Sequence, residues 1–261
     1  MFAPRLGLIL ALLLTPLGMN SIVAAQSSTR ALLEQLNAPL KRVNAKNFSF
    51  EGLFDAYVDM TPPPIEVGEW FNQTTVWPGM EDWDAVSLWA KTNSSMAVAL
   101  SDAQTKLLLG LPYGSANVKA SYRTRGLVAE IDLDADGDQV MLDYLVAIET
   151  IATWSVAEQY RLAESGEFRQ AFDLGITNTR VLRQLCDRQM LQEMFAAFRM
   201  LGEAMSVQRD LMFMYLDKVP AEVYRHFATK EYPFLKPSDN ERLRRLVMPE
   251  GDRLLIMAML E

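Results

Sequence analysis

The sequence predicts a mainly α fold, a helical bundle or stacked helical hairpins with an irregular Pro/Trp-rich N-terminal layer against it. Three observations carry this. After Gly137 apolar residues recur at i, i+3 and i+4 over long stretches. Gly and Pro become sparse over the same stretch, so little interrupts the helices. Four of the five Trp (Trp70, Trp77, Trp83, Trp89) and the run Thr61-Pro-Pro-Pro64 fall between residues 48 and 94 instead.

The elements follow in order. Leu6 to Leu17 is an apolar run behind Arg5, closed by Pro16, a polar break at Asn20-Ser21 and the small residues Val23-Ala24-Ala25. This is the pattern of a secretory signal peptide over 1–25, cleaved after Ala25. No Cys stands beside that site, which excludes a lipoprotein anchor. The remainder, 26–261, reads as one mainly helical domain, since no flexible or charged linker divides it.

Ser28 and Thr29 can cap a helix through Leu32, Leu33, Leu36 and Leu40. Pro62–Pro64 imposes extended geometry, and Trp77-Pro-Gly79 marks a turn. Residues 82–90 and 96–109 read as short helices, and 127–131 as a short strand before an acidic turn. Residues 48–130 thus form the layer and 139–250 the bundle. Four to six helices are expected there, with apolar faces at Met141, Tyr144, Leu145, Ile148, Ile151 and Ala152, then Val181, Leu182, Leu185 and Cys186. A third face runs through Leu191, Met194, Phe195, Phe198, Leu201, Met205 and Met212.

Composition removes several function classes. The chain of 261 residues carries 25 Lys+Arg against 33 Asp+Glu, a formal net charge of −8. Without residues 1–25 it has 24 bases, 33 acids and a charge of −9. Such a chain has no excess of base for phosphates, so nucleic acid is not an expected partner. One Cys and one His exclude an intramolecular disulfide, a Cys/His zinc site and a multi-His metal centre within one chain. No Gly-x-Ser-x-Gly elbow, phosphate-binding Gly-rich loop or second apolar run of membrane-spanning length is present. Cys186 and His226 lie in apolar helical settings, and the methionines after Met141 have the spacing of core fillers.

Charge is segregated. Residues 47–90 hold eight acids and no base, as do residues 126–160, while every Lys and Arg of the second half lies between Arg161 and Arg253. Packing of the layer on the bundle is expected to pair acids of 47–90 with arginines of 161–253.

Two places could carry carboxylate chemistry. Asp132, Asp134 and Asp136, with Gly137, Asp138 and Asp143, resemble an EF-hand-type calcium loop over twelve residues. The resemblance implies Ca²⁺ held by Asp132, Asp134, Asp136, Asp138 and Asp143. It departs from that pattern in Gln139 at position 8 and in Asp143, not Glu, at position 12. The sequence favours a plainer reading of the run, an acidic turn with Asp138 capping a helix that begins near Gln139. The second place is Trp70–Trp89, where Trp70, Trp77 and Trp83 could stack on sugar rings while Glu81 and Asp82 bind hydroxyls or share acid and nucleophile roles. Against this, the tryptophans can be apolar anchors of the layer. Gly166-Glu-Phe-Arg-Gln-Ala171 also resembles the turn of a tetratricopeptide helical hairpin, with Gln159 where that family has a small residue and no second copy in the chain.

The expectation is an exported, soluble, secreted or periplasmic helical protein of the cell envelope, a non-catalytic binding or scaffold protein whose partner is another protein. The alternative is a carboxylate-dependent hydrolase or glycan-binding protein using Trp70–Trp89.

Overall fold

The structure, a computed structural model, describes residues 29–133, 139–230 and 249–260. The signal-peptide reading over 1–25 falls outside the described residues, as do Asp134, Asp136 and Asp138. The fold is mainly helical, with one two-stranded sheet among the described residues. Residues 29–37 form α1. Then come α2 (Phe50–Asp59), α3 (Trp83–Thr92), α4 (Met96–Ala103), α5 (Ala120–Arg123), β1 (Glu130–Asp132) and β2 (Gln139–Met141). The bundle proper is α6 (Tyr144–Glu164), α7 (Phe168–Arg183), α8 (Leu191–Met214), α9 (Ala221–Lys230) and α10 (Glu250–Leu260).

Helix α6 is the axle. It is buried on nearly every side and packs against α3, α7 and α8. A helix enclosed this way needs small residues and internally satisfied polar ones. Ala152, Ala157 and Ala163 supply the first. Among the second, Thr150 donates to the Val146 carbonyl at 2.8 Å, and buried Glu158 accepts two 2.7 Å bonds from Arg161 one turn on.

The α6–α7 hairpin turns at Gly166, whose φ of +81° suits a residue without Cβ. Gly175 then brings α7 close to both neighbours: a Cβ there would lie 1.9 Å from Gln208 Nε2 and 2.5 Å from Gln159 Oε1. The room that a small residue in the first helix would give is thus supplied from the second, and Gln208 Nε2 donates to Gln159 Oε1 beside it.

The N-terminal layer is more helical than its composition predicts. Phe50, Leu53 and Phe54 bury one face of α2, although Glu51, Asp55 and Asp59 obscure that stripe in the sequence. The proline segment is fastened at Thr61, whose N–H donates to Asn93 Oδ1 and whose carbonyl accepts from Trp89 Nε1, both at 2.9 Å. Trp154 Nε1 donates to the Ala90 carbonyl at 3.0 Å and ties α6 to α3.

Among the described residues the expected pairing of layer acids with bundle arginines is not what joins the two parts. Asp55 pairs with Lys119 at 2.8 Å, inside the N-terminal part, while Glu149 and Glu203 pair with Arg199 inside the bundle. Apart from one buried carboxylate–guanidinium cluster, the layer is held largely by amides and hydroxyls instead. Gln73 Nε2 donates to the Met200 carbonyl at 3.0 Å, Ser49 Oγ to Gln184 Oε1 at 2.5 Å, and Gln184 Nε2 to the Ala103 carbonyl at 2.8 Å. Neutral groups cost less to desolvate than ions, which suits them to a buried joint.

One carboxylate gathers the halves. Glu193, fully buried in the first turn of α8, accepts from Tyr113 Oη at 2.5 Å, Tyr144 Oη at 2.6 Å, Arg188 Nε at 2.9 Å and the Met190 N–H at 3.1 Å. Arg188 Nη1 donates to the Leu111 carbonyl, and its guanidinium lies 4.2 Å from the Tyr113 ring centroid. Burial by itself would lower the Arg188 pKa, but the Glu193 charge and hydrogen bond together with Tyr113 and Tyr144 outweigh it and raise it. Burial, reinforced by Glu193, pushes the Tyr113 and Tyr144 hydroxyls well above the usual tyrosine range.

Two outcomes follow. Glu193→Leu leaves Arg188 buried without its counter-ion and is expected to lower stability by about 3–5 kcal/mol in urea unfolding, whereas adding Arg188→Met should recover much of the loss. At alkaline pH, burial pushes Tyr160, near Asp210, up to about 12. Tyrosines of the unfolded chain ionise near 10, so the unfolded state sheds protons first and stability falls as pH rises above about 10. Melting temperatures between pH 8 and 11 should show this decline, and Tyr160→Phe should make it shallower.

Candidate functional site

The most developed candidate surface is the outer face of α8. The inner face is built from Met194, Ala197, Met200, Leu201, Ala204, Val207 and Leu211, all buried. On the opposite face Leu191, Phe195, Phe198 and Met205 are exposed, Phe195 to 63%. Their spacing continues through Gly202, Arg209 and Met212 to Leu216, alternating four and three residues. That alternation places successive residues in one line along a helix, the arrangement by which two helices pack side by side. Phe213, 70% exposed, flanks the line near its end.

This corrects the sequence reading of α8. Phe195, Phe198 and Met205 were assigned there to one core face with Met194 and Leu201. A helix apolar on two faces defeats an i, i+3, i+4 rule, because neighbouring stripes satisfy it together. The signal that separates them is the strict 4-3 alternation from Leu191 to Leu216, set against the small residues Ala197 and Ala204 of the packed side. Gly202 leaves a gap in the line with no atom within 4 Å of where its Cβ would stand, so a second helix could approach the backbone there.

Helix α8 is held rigidly at its start. Asp252 Oδ2 accepts from the Leu191 N–H at 2.6 Å, and Gly251 N–H donates to the Gln189 carbonyl at 2.9 Å. Arg199, beside the line, is engaged by Glu149 and Glu203 at 2.8–2.9 Å. Arg209 is held by its neighbour Asp210. The face is therefore mainly apolar, with Arg209 as its one charged member and both cations engaged by neighbouring carboxylates.

The carboxylate sites fare differently. Asp132 pairs in register with Gln139 across the β1–β2 ladder. The helix expected near Gln139 begins instead at Tyr144, because Gln139–Met141 pairs with Glu130–Asp132 as a strand. Asp143, exposed, occupies the N-cap position of α6 without a side-chain capping bond. Asp134, Asp136 and Asp138 lie outside the described residues. Among the described residues no group of three or more His, Cys, Asp or Glu side chains is placed to hold a metal ion.

The tryptophans divide. Trp89 is buried as an anchor, and Trp83 is half-buried, its Nε1 donating to Glu164 Oε2 at 2.9 Å and its ring edge-on to Tyr160. Trp70, 84% exposed, and Trp77 stand out from the layer, and Glu81 and Asp82 are exposed nearby in sequence. His226 faces Asp173 at 3.3 Å, joining α9 to α7. Cys186 is half-buried against the core in the turn Gln184–Asp187. No described helix is long and apolar enough to cross a membrane. No family model matches the chain, and no curated protein or solved structure matches it either.

Proposed function

We propose that this is a non-catalytic binding protein, exported on the signal of residues 1–25 to the envelope, that takes an amphipathic helix of another protein along the outer face of α8. The observation that carries the reading is the exposed 4-3 line from Leu191 to Leu216. An apolar stripe carrying a few aromatic residues, here Phe195 and Phe198 toward its start, is what helix recognition uses: the stripe excludes water and a few large side chains supply most of the affinity. At about 1.5 Å per residue, the 24 residues of α8 offer roughly 36 Å of docking length. An exposed apolar stripe on this scale is unusual unless something covers it.

The test is capture of crosslinked partners from the native envelope by the chain carrying Phe195→Asp and Phe198→Asp. Phe195 is 63% and Phe198 38% exposed, so the variant should stay folded and lose no more than about 1–2 kcal/mol of unfolding free energy in urea, while capture falls at least tenfold. Undiminished capture would remove the α8 face from consideration.

The exposure of Trp70 and Trp77 favours glycan binding as a second reading, with Glu81 and Asp82 as hydroxyl acceptors. Under it, Trp70→Ala with Trp77→Ala should abolish retention on immobilised envelope glycans and leave the α8-dependent partner untouched. Equal retention would dispose of it.

A further inference from the structure

At the C-terminal end of α8 a groove of about 390 Å³ opens between α7, α8 and α9. Its walls are apolar: Met205, Met212, Phe213, Leu216, Tyr224 and Phe227. Phe172, 5.7 Å from the Phe227 ring centroid and 6.2 Å from that of Tyr224, supports the α9 wall from beneath. The volume lies within the range of small-molecule sites, and apolar walls with a few placed polar groups are their usual composition.

Two of the lining residues carry unmet polar atoms. Gln208 is 5% exposed, and its Oε1 is buried with no hydrogen-bond partner, although its Nε2 is used by Gln159. The Tyr224 hydroxyl is also buried with no partner. A buried polar atom left unpaired costs more than a made bond returns, so such atoms are rare. Here two of them belong to residues of one apolar groove.

We infer that this groove binds an aliphatic ligand with a neutral hydroxyl head, of the class of a medium-chain alcohol. The chemistry of the two atoms selects the head. Gln208 Oε1 can only accept, so its complement must donate, which excludes a carboxylate. The Tyr224 hydroxyl can donate, so the same group should also accept. A single hydroxyl does both. Arg209 at the rim already pairs with Asp210 at 2.8 Å, which weakens its pull on an anionic head. The tail would lie against the methionine and phenylalanine walls, where Met adapts to tails of differing shape.

This site shares Met205, Arg209, Met212 and Leu216 with the far end of the docking line, but it does not depend on the helix-docking reading, because it is tested on the purified chain without any partner. Isothermal titration with 1-hexanol, 1-heptanol and 1-octanol should give saturable binding that tightens about fourfold with each added methylene. Octanoate should bind more weakly than 1-octanol. Tyr224→Phe removes an unpaired hydroxyl, so its melting temperature should hold or rise while 1-octanol binds roughly five- to tenfold more weakly. Met212→Trp should block the groove, with Leu216→Trp at the exposed rim as the second blocking variant should the first fail to fold. Absence of saturable binding, tighter binding of octanoate, or a Tyr224→Phe chain that binds 1-octanol as before would each overturn the proposal. Phe195→Asp with Phe198→Asp should leave alcohol binding unchanged, so failure of the groove and failure of the docking face are separately visible.

Discussion

The buried carboxylate of Glu193 is the constraint on which the arrangement of this protein depends. It lies where the 111–113 loop, the start of α6 and the start of α8 meet, and it accepts a bond from each of them. An isolated carboxylate in that position would be strongly disfavoured. Four donors and the Arg188 charge remove the penalty, and the same bonds allow little choice in how the three segments approach. From this junction α8 runs outward with one face already committed to α6 and α7. The opposite face is left in water by geometry, and the docking reading rests on that face.

Around the junction the core is partly polar, and its polarity is organised. Gln159 and Gln208 meet over Gly175, Gln73 reaches from the N-terminal part to the Met200 carbonyl, and Gln184 reaches from the bundle to the Ala103 carbonyl. Amides suit these joints because each supplies a donor and an acceptor without the desolvation cost of an ion. The acidic segments that stood out in the sequence have little part in this. Their exposed carboxylates add charge to the surface, where ion pairs contribute little to stability.

How much was legible in the sequence follows from the same physics. Helices α3, α6 and α7 could be read because an apolar period survives there, and Gly166 marks the turn between two of them. Helix α2 was hidden by Glu51, Asp55 and Asp59, which interrupt the composition without disturbing the face of Phe50, Leu53 and Phe54. The strand Gln139–Met141 reads in the sequence as the beginning of a helix, since three residues are too few for alternation to show and their pairing with Glu130–Asp132 is a tertiary fact. Helix α8 was recognised as a helix but its exposed side was not, because periodicity reports that a face is apolar and not what covers it. The Glu193 cluster had no sequence signal at all: Tyr113, Tyr144 and Arg188 are brought together only by the fold. The same holds for the unpaired atoms of Gln208 and Tyr224.

The clasp of α10 on the beginning of α8 has a consequence for how the chain is assembled in time. The first N–H of α8 finds its acceptor in Asp252, 61 residues further along, and the carbonyl of Gln189 finds its donor in Gly251. A chain emerging residue by residue therefore reaches the end of α8 before the groups that close its first turn exist. Contacts of such separation form late, since loop closure must precede the bonds that reward it. During that interval the Glu193 junction and the apolar outer face of α8 belong to a helix whose N-terminus is still open. The start of α8 is thus closed only once the 250–253 segment has been made.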